Sequence, residues 1–487
     1  MTTDVKPTHR PAEFLAGGFL VVLSLSFALV LGNPGLSGIP ILVIALTAIV
    51  AALILSQVYA GYLIMVVCCF TFAVVAVTPD RYLNAFDCIL LFMFPFALMG
   101  TLRRRAQDES RALEVGPGHD RIREATRRFA KAVVIYYSMA AVSIIPVIFR
   151  IGTEAALSSA LILVRTIEGA LLFPLGLWWL RSERRMNQLV GAAVLGGFLL
   201  AGVMLTDRLT IGTTRPGMTW ILNQPGHLTE DPNQAGLNFV LLMALVFAHH
   251  PARPRFWNYL LMPAGITALV LSQSRAGVLA ATAFLMLGVR RIRARYILSA
   301  VLLLGVGAAV TWLLPPVGIQ GPGQHDFGSR IMKTVSMQRG SPEVYSWMLR
   351  VYGYITSLKV FLDNWLFGVG FFAAMFVSQR YNQLGVPLGA ENYFLETATG
   401  MGVIGLAVLV YVLKTMFDLG KVVGEEAPPG TLASQMAHYH RPLIVGFLVV
   451  SMVGNTFVGV ISNAQFGMWC ALMVRACHQS LRDATAS

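Results

Sequence analysis

Charged residues are scarce in this chain. Only 13% of its 487 residues are charged, whereas 56% are hydrophobic, and the mean hydropathy is +0.66. Runs of about 18 or more apolar residues recur along the sequence, and each is long enough to cross a bilayer as a helix. Because a β-barrel would show weak alternating segments instead, the composition predicts an all-α polytopic membrane protein and excludes a soluble enzyme.

Metal-binding and disulfide patterns are also lacking. The five cysteines have no C-x-x-C spacing, and the nine histidines form no H-E-x-x-H pattern. Small buried apolar side chains are the simpler interpretation of these cysteines, since all fall in or beside apolar runs: Cys68, Cys69, Cys88, Cys470 and Cys477. The sequence therefore predicts no metal site and no cofactor.

The net charge of +13 does not indicate nucleic-acid binding, because the basic clusters are short and lie between apolar runs. About 12 to 14 transmembrane helices are expected from runs of roughly 20 residues. They begin near Phe14, Gly38, Tyr59, Asn84, Lys131, Leu157, Gln188, Asn233, Trp257, Ala276, Tyr296, Tyr393, Pro442 and Ser462. The first run lacks a convincing cleavage site and is predicted to be a retained span.

With these spans, the basic loops fall on one side of the membrane. By the positive-inside rule that side is the cytoplasm, and both termini are predicted to lie there. The basic segments are Lys6/Arg10, Arg103–Arg105, Arg181–Arg185, His249–Arg255, Arg290–Arg295, Lys414–Lys421 and Arg475/Arg482.

The largest segment on the opposite side is residues 314–391. Its stretch "EVYSWMLRVYGYITSLKVFLDNWLFGVGFF" has apolar residues at helical spacing, interrupted by Arg350, Lys359 and Asp363. Three charges would be costly in a span, so we predict an amphipathic helix against the membrane, ended by Gly368 and Gly370. The alternative is a further transmembrane helix.

Arginines on the outer side run against the positive-inside bias and are candidates for binding an anion. A guanidinium binds phosphate or pyrophosphate through two parallel hydrogen bonds. Arg275 in "LSQSRAGV" and Arg350 rank first, because both lie directly against apolar sequence. Further candidates are Arg208, Arg215, Arg330, Arg339 and Arg380. Within a span, Arg165 and Glu168 form an i, i+3 pair that is either functional or a structural ion pair.

The stretch "GAENYFLETATGMGVIGL" places Glu391 and Asn392 at the start of an apolar run. Glu391 is a candidate general base toward a hydroxyl group. The structural alternative is that Glu391 or Asn392 caps the following helix and complements its dipole. The glycines that follow predict close helix packing.

Four stretches, in this order, resemble the O-antigen ligase and Wzy-type polymerase superfamily of bacterial envelope glycosyltransferases. They are "DPNQAGLNFVLLMALV", "LSQSRAGVLAA", "LRVYGYITSLKVFLDNWLFGVGF" and "ENYFLETATGMGVIGLAVLV". The resemblance covers roughly residues 205–413. It implies a GT-C-like fold in which N-terminal helices (1–206) precede a ligase-like core (207–413, with the outer loop 314–392) and C-terminal helices (414–487).

The resemblance also implies a reaction. Family members transfer a glycan from an undecaprenyl pyrophosphate carrier to an acceptor sugar at the periplasmic face of the inner membrane. It assigns Glu391, Arg275 and Arg350 as catalytic residues, without a metal and with inversion at the anomeric carbon. Pyrophosphate or glycan contacts are expected from Arg215, Arg380, Asn392, Arg165 and Arg208. Membrane lipid, a chain-length regulator and a flippase are the expected partners.

One position departs from the ligase pattern. Ligases have a histidine before the asparagine, whereas this chain has Glu391. An acidic residue is similar to that of several exopolysaccharide polymerases, so a polymerase is predicted ahead of a ligase. A transporter of lipid-linked glycans is the rival from another class. The chain shows no two similar halves, which such transporters tend to have.

Overall fold

A computed structural model of the protein describes residues 117–210, 232–252, 274–288, 342–382, 388–452 and 460–486, together with positions 269 and 385 and short stretches between 62 and 84. The chain forms two compact units, one of Met1–Cys69 and Ala73–Leu113, the other of Phe70–Phe72 and Glu114–Ser487. Several predicted spans lie outside the described residues, among them those near Phe14, Gly38, Trp257 and Tyr296, as do the basic segments Arg103–Arg105 and Arg290–Arg295.

The described part of the first unit contains an antiparallel hairpin, which adds to a fold that is otherwise helical. Strand β1 (Val74–Thr78) pairs with β2 (Arg81–Asn84), with Val74 opposite Asn84. The register shifts between Ala76 and Thr78.

In the second unit, the described secondary-structure elements are all helices, joined by turns and loops. Its helices are α1 (Pro117–Arg150), α2 (Thr153–Ala170), α3 (Leu172–Trp179), α4 (Glu183–Thr210), α5 (Pro232–Ala252), α6 (Arg275–Gly288), α7 (Pro342–Asp363), α8 (Ala374–Ser378), α9 (Tyr393–Glu426), α10 (Leu432–Ser451) and α11 (Val460–Ala486). Eight of the predicted spans begin within these helices. The all-α prediction is confirmed.

Three helical stretches among the described residues are long and apolar enough to cross a membrane: Gly118–Arg150, Thr153–Trp179 and Tyr393–Glu426. Helix α1 begins with proline at its first position, where the missing N–H has no helical partner anyway. Asp120 in its first turn complements the helix dipole. The prediction of a polytopic membrane protein is confirmed, while the number of spans stays a prediction.

One end of this unit gathers ionic and aromatic contacts between helix termini. Arg121 at the start of α1 pairs with Glu425, at 2.8 Å, and with Glu426 at the end of α9. The rings of His119 and His478 lie 5.1 Å apart. Helices α1 and α9 therefore run antiparallel, and α11 ends beside the start of α1. We call this the basic end.

Two further contacts join basic segments to each other near helix ends. The guanidinium of Arg475 donates to the carbonyl of Leu177, which lies at the end of α3 just before Arg181–Arg185. His249 at the end of α5 lies 3.1 Å from the amide oxygen of Asn187, which is in the first turns of α4. Segments that the sequence assigns to one side of the membrane are thus neighbours in the structure.

Helix α9 is broken at Gly402, where φ is 68° and ψ is −169°. A Cβ on Gly405 would lie 2.2 Å from the Cβ of Met401, whereas such atoms are about 5–6 Å apart in a continuous helix. The chain therefore turns sharply between residues 393–401 and 403–426. Backbone amides of Val369 and Gly370 donate to the carbonyls of Thr399 and Gly400, at 3.0 and 2.7 Å.

A buried polar chain connects three helices in the interior. Trp469 of α11 donates to Nδ1 of His440 in α10 at 3.0 Å, and Nε2 of that ring lies 2.9 Å from the carbonyl of Met416 in α9. Because Nδ1 accepts, Nε2 carries the proton and donates to the carbonyl. Both hydrogen bonds satisfy groups that would otherwise be buried without partners.

Candidate functional site

The candidate site lies at the end of the second unit that is opposite the basic end. Helix α10 starts next to the end of α9 and has 20 residues, so its far end lies about 30 Å away. There the carbonyl of Met452 accepts hydrogen bonds from Asn392 Nδ2, at 3.0 Å, and from the hydroxyl of Tyr354, at 3.2 Å. We call the residues Arg350, Tyr354, Glu391, Asn392 and Met452 the distal cluster.

Two predicted catalytic residues meet in the distal cluster. Arg350 of α7 donates through Nε to the carboxylate of Glu391 at 2.5 Å, although the two are 41 residues apart in the sequence. Their side chains are 31% and 51% exposed. A ligand can therefore reach both groups, and the two terminal nitrogens of the guanidinium offer a fork for an anion.

Close backbone packing brings the two residues together. A Cβ on Gly353, one turn after Arg350, would lie 2.5 Å from the carbonyl oxygen of Gly389. Only a residue without a side chain lets α7 approach the segment 388–391 this closely. The glycine thus explains how Arg350 reaches a residue just beyond Gly389.

The two sequence interpretations of Glu391 and Asn392, a general base and a helix cap, apply to different residues. Asn392 has extended backbone and caps α9 by accepting from the amide of Leu395 at 3.0 Å. Its amide nitrogen is bound to Met452, so both of its polar groups have protein partners. Glu391 precedes the cap, which leaves its carboxylate for Arg350.

Glu391 is held in a backbone conformation that its side chain disfavours. Its φ is 44°, in the left-handed region, and it shares this property with Phe372 among the described residues other than glycine. For such a residue the conformation costs about 1–3 kcal/mol and persists only where the surroundings enforce it. Here the cap at Asn392 and the pair with Arg350 enforce it.

The phenol of Tyr354 lies within electrostatic range of both charges. Partial burial raises its pKa; the positive charge of Arg350 opposes this rise, and the negative charge of Glu391 adds to it. Tyr354 consequently stays protonated at neutral pH and remains a hydrogen-bond donor.

A buried polar group beneath the ion pair was not predicted from the sequence. Glu396, in the first turn of α9, is 3% exposed, and its carboxylate accepts from the amide of Ala390 at 3.5 Å. Nearby, the hydroxyls of Tyr136 and Tyr393 lie 2.7 Å apart and join α1 to α9. Its sequence signal is the second acidic residue of "ENYFLE".

Fewer contacts are described for the other predicted site residues. Arg380 is exposed just after α8 and lies near Tyr381, whose pKa is raised by burial first and by Asp363 second. Arg165 is an exposed residue of α2. The backbones of Arg208 and Arg275 belong to α4 and α6, while their side chains and the whole of Arg215, Arg330 and Arg339 lie outside the described residues.

The capping of α6 is nevertheless described. The hydroxyl of Ser274 accepts from the amide of Gly277 at 2.9 Å, as a serine that precedes a helix commonly does. The serine of "QSRAG" thus fixes the helix start at which Arg275 is the first residue.

The fold and the distal cluster define a polytopic helical membrane protein with a cation and a carboxylate at one end of its bundle. Residues 259–410 match a family model described as O-Antigen ligase. The matched segment contains Arg275, Arg350, Glu391 and the break at Gly402, and it confirms the resemblance over that part of the chain. The match indicates a function of the O-antigen ligase or polymerase type. No curated protein matches the chain.

Proposed function

We propose that the protein is a bacterial surface-polysaccharide polymerase. It transfers a glycan from an undecaprenyl pyrophosphate carrier to an acceptor sugar at the periplasmic face of the inner membrane. The observation that carries this proposal is the contact between Arg350 and Glu391 within the matched segment. A cation for a pyrophosphate leaving group and a base for a hydroxyl are the two groups that this transfer needs.

The two ends of the second unit support a periplasmic location for the site. The basic end carries the contacts of Arg121, Arg475 and their neighbours, which supports a cytoplasmic location. The distal cluster is at the other end, and we propose that this end faces the periplasm. Lipid-linked glycan reaches that face with its pyrophosphate at the level of the lipid head groups.

In the proposed reaction the acceptor hydroxyl attacks the anomeric carbon of the donor. A new glycosidic C–O bond forms, the bond from that carbon to the pyrophosphate oxygen breaks, and the electron pair leaves with the pyrophosphate. Glu391 takes the hydroxyl proton. Arg350 and Arg275, with help from Arg215 or Arg380, stabilise the charge that develops on the leaving group. Direct displacement inverts the anomeric carbon.

The ion pair must open during this reaction. In a direct displacement the base and the cation on the leaving group stand on opposite sides of the reacting carbon. The attacking oxygen is about 3 Å from that carbon, and the base accepts a hydrogen bond of about 2.7 Å from that oxygen on its far side. The base and the cation are therefore too far apart in the transition state to stay in contact. Donor pyrophosphate therefore competes with Glu391 for Arg350, and the contact at 2.5 Å opens when the donor binds.

Asn392, Arg165 and Arg208 complete the proposed glycan and pyrophosphate contacts. For Asn392 this contact uses the second lone pair of its oxygen or the second hydrogen of its nitrogen, so its hydrogen bonds to Leu395 and Met452 stay in place. The proposed transfer uses no metal, so an excess of chelator should leave its rate unchanged in purified protein.

The alternative is an O-antigen ligase that transfers the glycan to lipid A-core, and the description of the matching family favours it. The carboxylate of Glu391 in place of a ligase histidine favours the polymerase. The two differ in product: a polymerase lengthens the chain on its carrier, whereas a ligase moves a finished chain to another lipid.

A complementation experiment tests the proposal. The gene is deleted and restored as wild type, Arg275→Ala, Arg350→Ala, Arg350→Lys, Glu391→Ala or Glu391→Gln, and the surface glycan is separated by size. Lys359→Ala is a matched control, because Lys359 is an exposed cation on the same helix as Arg350. We expect long polymer with wild type and the control, and single repeat units with the other variants.

Other results would change the conclusion. Normal-length polymer that stays on its carrier in the deletion strain would identify a ligase. Loss of outward movement of the repeat unit would indicate a transporter. Full polymer from both Arg350→Ala and Glu391→Ala would contradict the proposed site.

A further inference from the structure

We propose that Tyr354 and Asn392 are positioning residues that set the geometry of Arg350 and Glu391 through one shared acceptor, the carbonyl of Met452. This inference rests on the proposed function, because it gives these residues a part in the same reaction. Neither needs to touch the reacting atoms.

The position of each residue next to one member of the ion pair is the first argument. Tyr354 follows Arg350 by four residues in α7, so both side chains lie on the same helix face. Asn392 follows Glu391 directly. The two hydrogen bonds to Met452, of 3.2 and 3.0 Å, therefore tie down α7 and the start of α9 within one turn of the ion pair.

The second argument is that both helices are fixed to the same atom. A carbonyl oxygen has two lone pairs and can accept two hydrogen bonds. Met452 ends α10, and its carbonyl is therefore a common reference point for α7 and α9. The distance between Arg350 and Glu391 then depends on both hydrogen bonds. Loss of either one frees one helix from the carbonyl of Met452.

The third argument concerns the donors. The side-chain oxygen of Asn392 accepts from Leu395, so its nitrogen must face Met452. Burial raises the pKa of Tyr354, so its hydroxyl keeps its proton in the range where Glu391 would act as a base. Both donors are present throughout the reaction.

The experiment compares kcat and KM for lipid-linked donor with purified wild type, Tyr354→Phe, Asn392→Ser and the double variant. Serine keeps an oxygen for the helix cap and removes only the amide donor. Tyr352→Phe is a matched control, since Tyr352 is an exposed tyrosine two residues earlier on the same helix.

We expect kcat to fall about tenfold in each single variant, as for loss of one positioning hydrogen bond of about 1.4 kcal/mol. KM should change little, because the lost interaction stabilises the transition state and not the bound donor. The kcat of the double variant should be no lower than that of the slower single variant. Loss of either hydrogen bond already ends the joint attachment of the two helices to the carbonyl of Met452. The Tyr352→Phe control should match wild type.

Three results would overturn the inference: Tyr354→Phe with the kcat of wild type, fully additive losses in the double variant, or losses that follow a fall in melting temperature. Additive losses would mean that the two residues act independently. Failure of the proposed function looks different, because wild type itself would then make no polymer from lipid-linked donor.

Discussion

Replacing Gly402 by alanine should destabilise the protein strongly. Its φ of 68° and ψ of −169° lie in a region that is essentially restricted to glycine. A Cβ at this position would lie 2.1 Å from the carbonyl oxygen of Leu366 and 2.6 Å from the backbone nitrogen of Phe367. Because these are backbone atoms, no side-chain rotation can make room for the methyl group.

The structure gives an order of magnitude for the effect. The backbone conformation alone costs about 1–3 kcal/mol for a residue with a side chain. Moving residues 365–370 away also weakens the hydrogen bonds from Val403 to Trp365, at 2.8 Å, and from Gly370 to Gly400, at 2.7 Å. Each contributes about 1 kcal/mol net. Gly402→Ala should therefore lower the free energy of unfolding by about 3–5 kcal/mol.

Unfolding of the detergent-solubilised protein by heat or denaturant measures this difference. Gly385→Ala is the matched control: its φ is 64°, and a Cβ there would meet no atom of the described residues within 4 Å. That variant has backbone strain without the collision, so its unfolding midpoint should lie well above that of Gly402→Ala. Equal unfolding midpoints for the two variants would refute the argument that the contact with residues 366–367 maintains the break.

Three further predictions follow from single contacts. Gly353→Ala should cut transfer activity at least tenfold, because its Cβ would displace the backbone of Gly389, whose carbonyl oxygen is 2.5 Å away; wild-type activity would contradict the proposed approach of α7. Trp469→Phe leaves Nδ1 of buried His440 without its donor at 3.0 Å and should lower the free energy of unfolding by about 1–3 kcal/mol, with an unchanged denaturation midpoint as the contrary result. The raised pKa of Tyr354 stabilises the fold fully below about pH 10, the value for an unfolded tyrosine, and this stabilisation is lost as pH rises through the folded pKa. Melting temperatures of Tyr354→Phe should therefore decline less steeply above pH 10 than those of wild type; equal slopes would show that ionisation of this phenol is not involved.

The amphipathic segment shows what sequence could predict. Apolar spacing around Arg350, Lys359 and Asp363 predicted a helix that ends before Gly368, and the structure has α7 over Pro342–Asp363. Helical periodicity is a local property, so a single sequence carries it. Arg350 and Glu391 were both chosen as site residues, but their direct contact was not foreseen, because it depends on Gly353 meeting Gly389.

The break in α9 shows what sequence could not predict. The glycines of "ATGMGVIGL" were interpreted as positions for close packing, and Gly400 and Gly402 do contact the backbone of residues 366–371. Nothing in the local pattern marks the end of a helix, since apolar residues continue on both sides of Gly402. The partners that stabilise the break come from 30 to 38 residues earlier in the chain.

The break at Gly402 also has a consequence for how the protein is made. A helix entering the bilayer with unpaired carbonyls would expose polar groups to lipid at a cost of several kcal/mol each. Residues 393–426 are therefore expected to insert first as an unbroken helix, which satisfies those groups internally. On this expectation the break forms afterwards, when the amides of Val369 and Gly370 bind the carbonyls of Thr399 and Gly400, as they do in the folded protein. Assembly of the distal cluster is in this sense a late event in biogenesis, and a chain stalled before it would be inserted in the membrane but inactive.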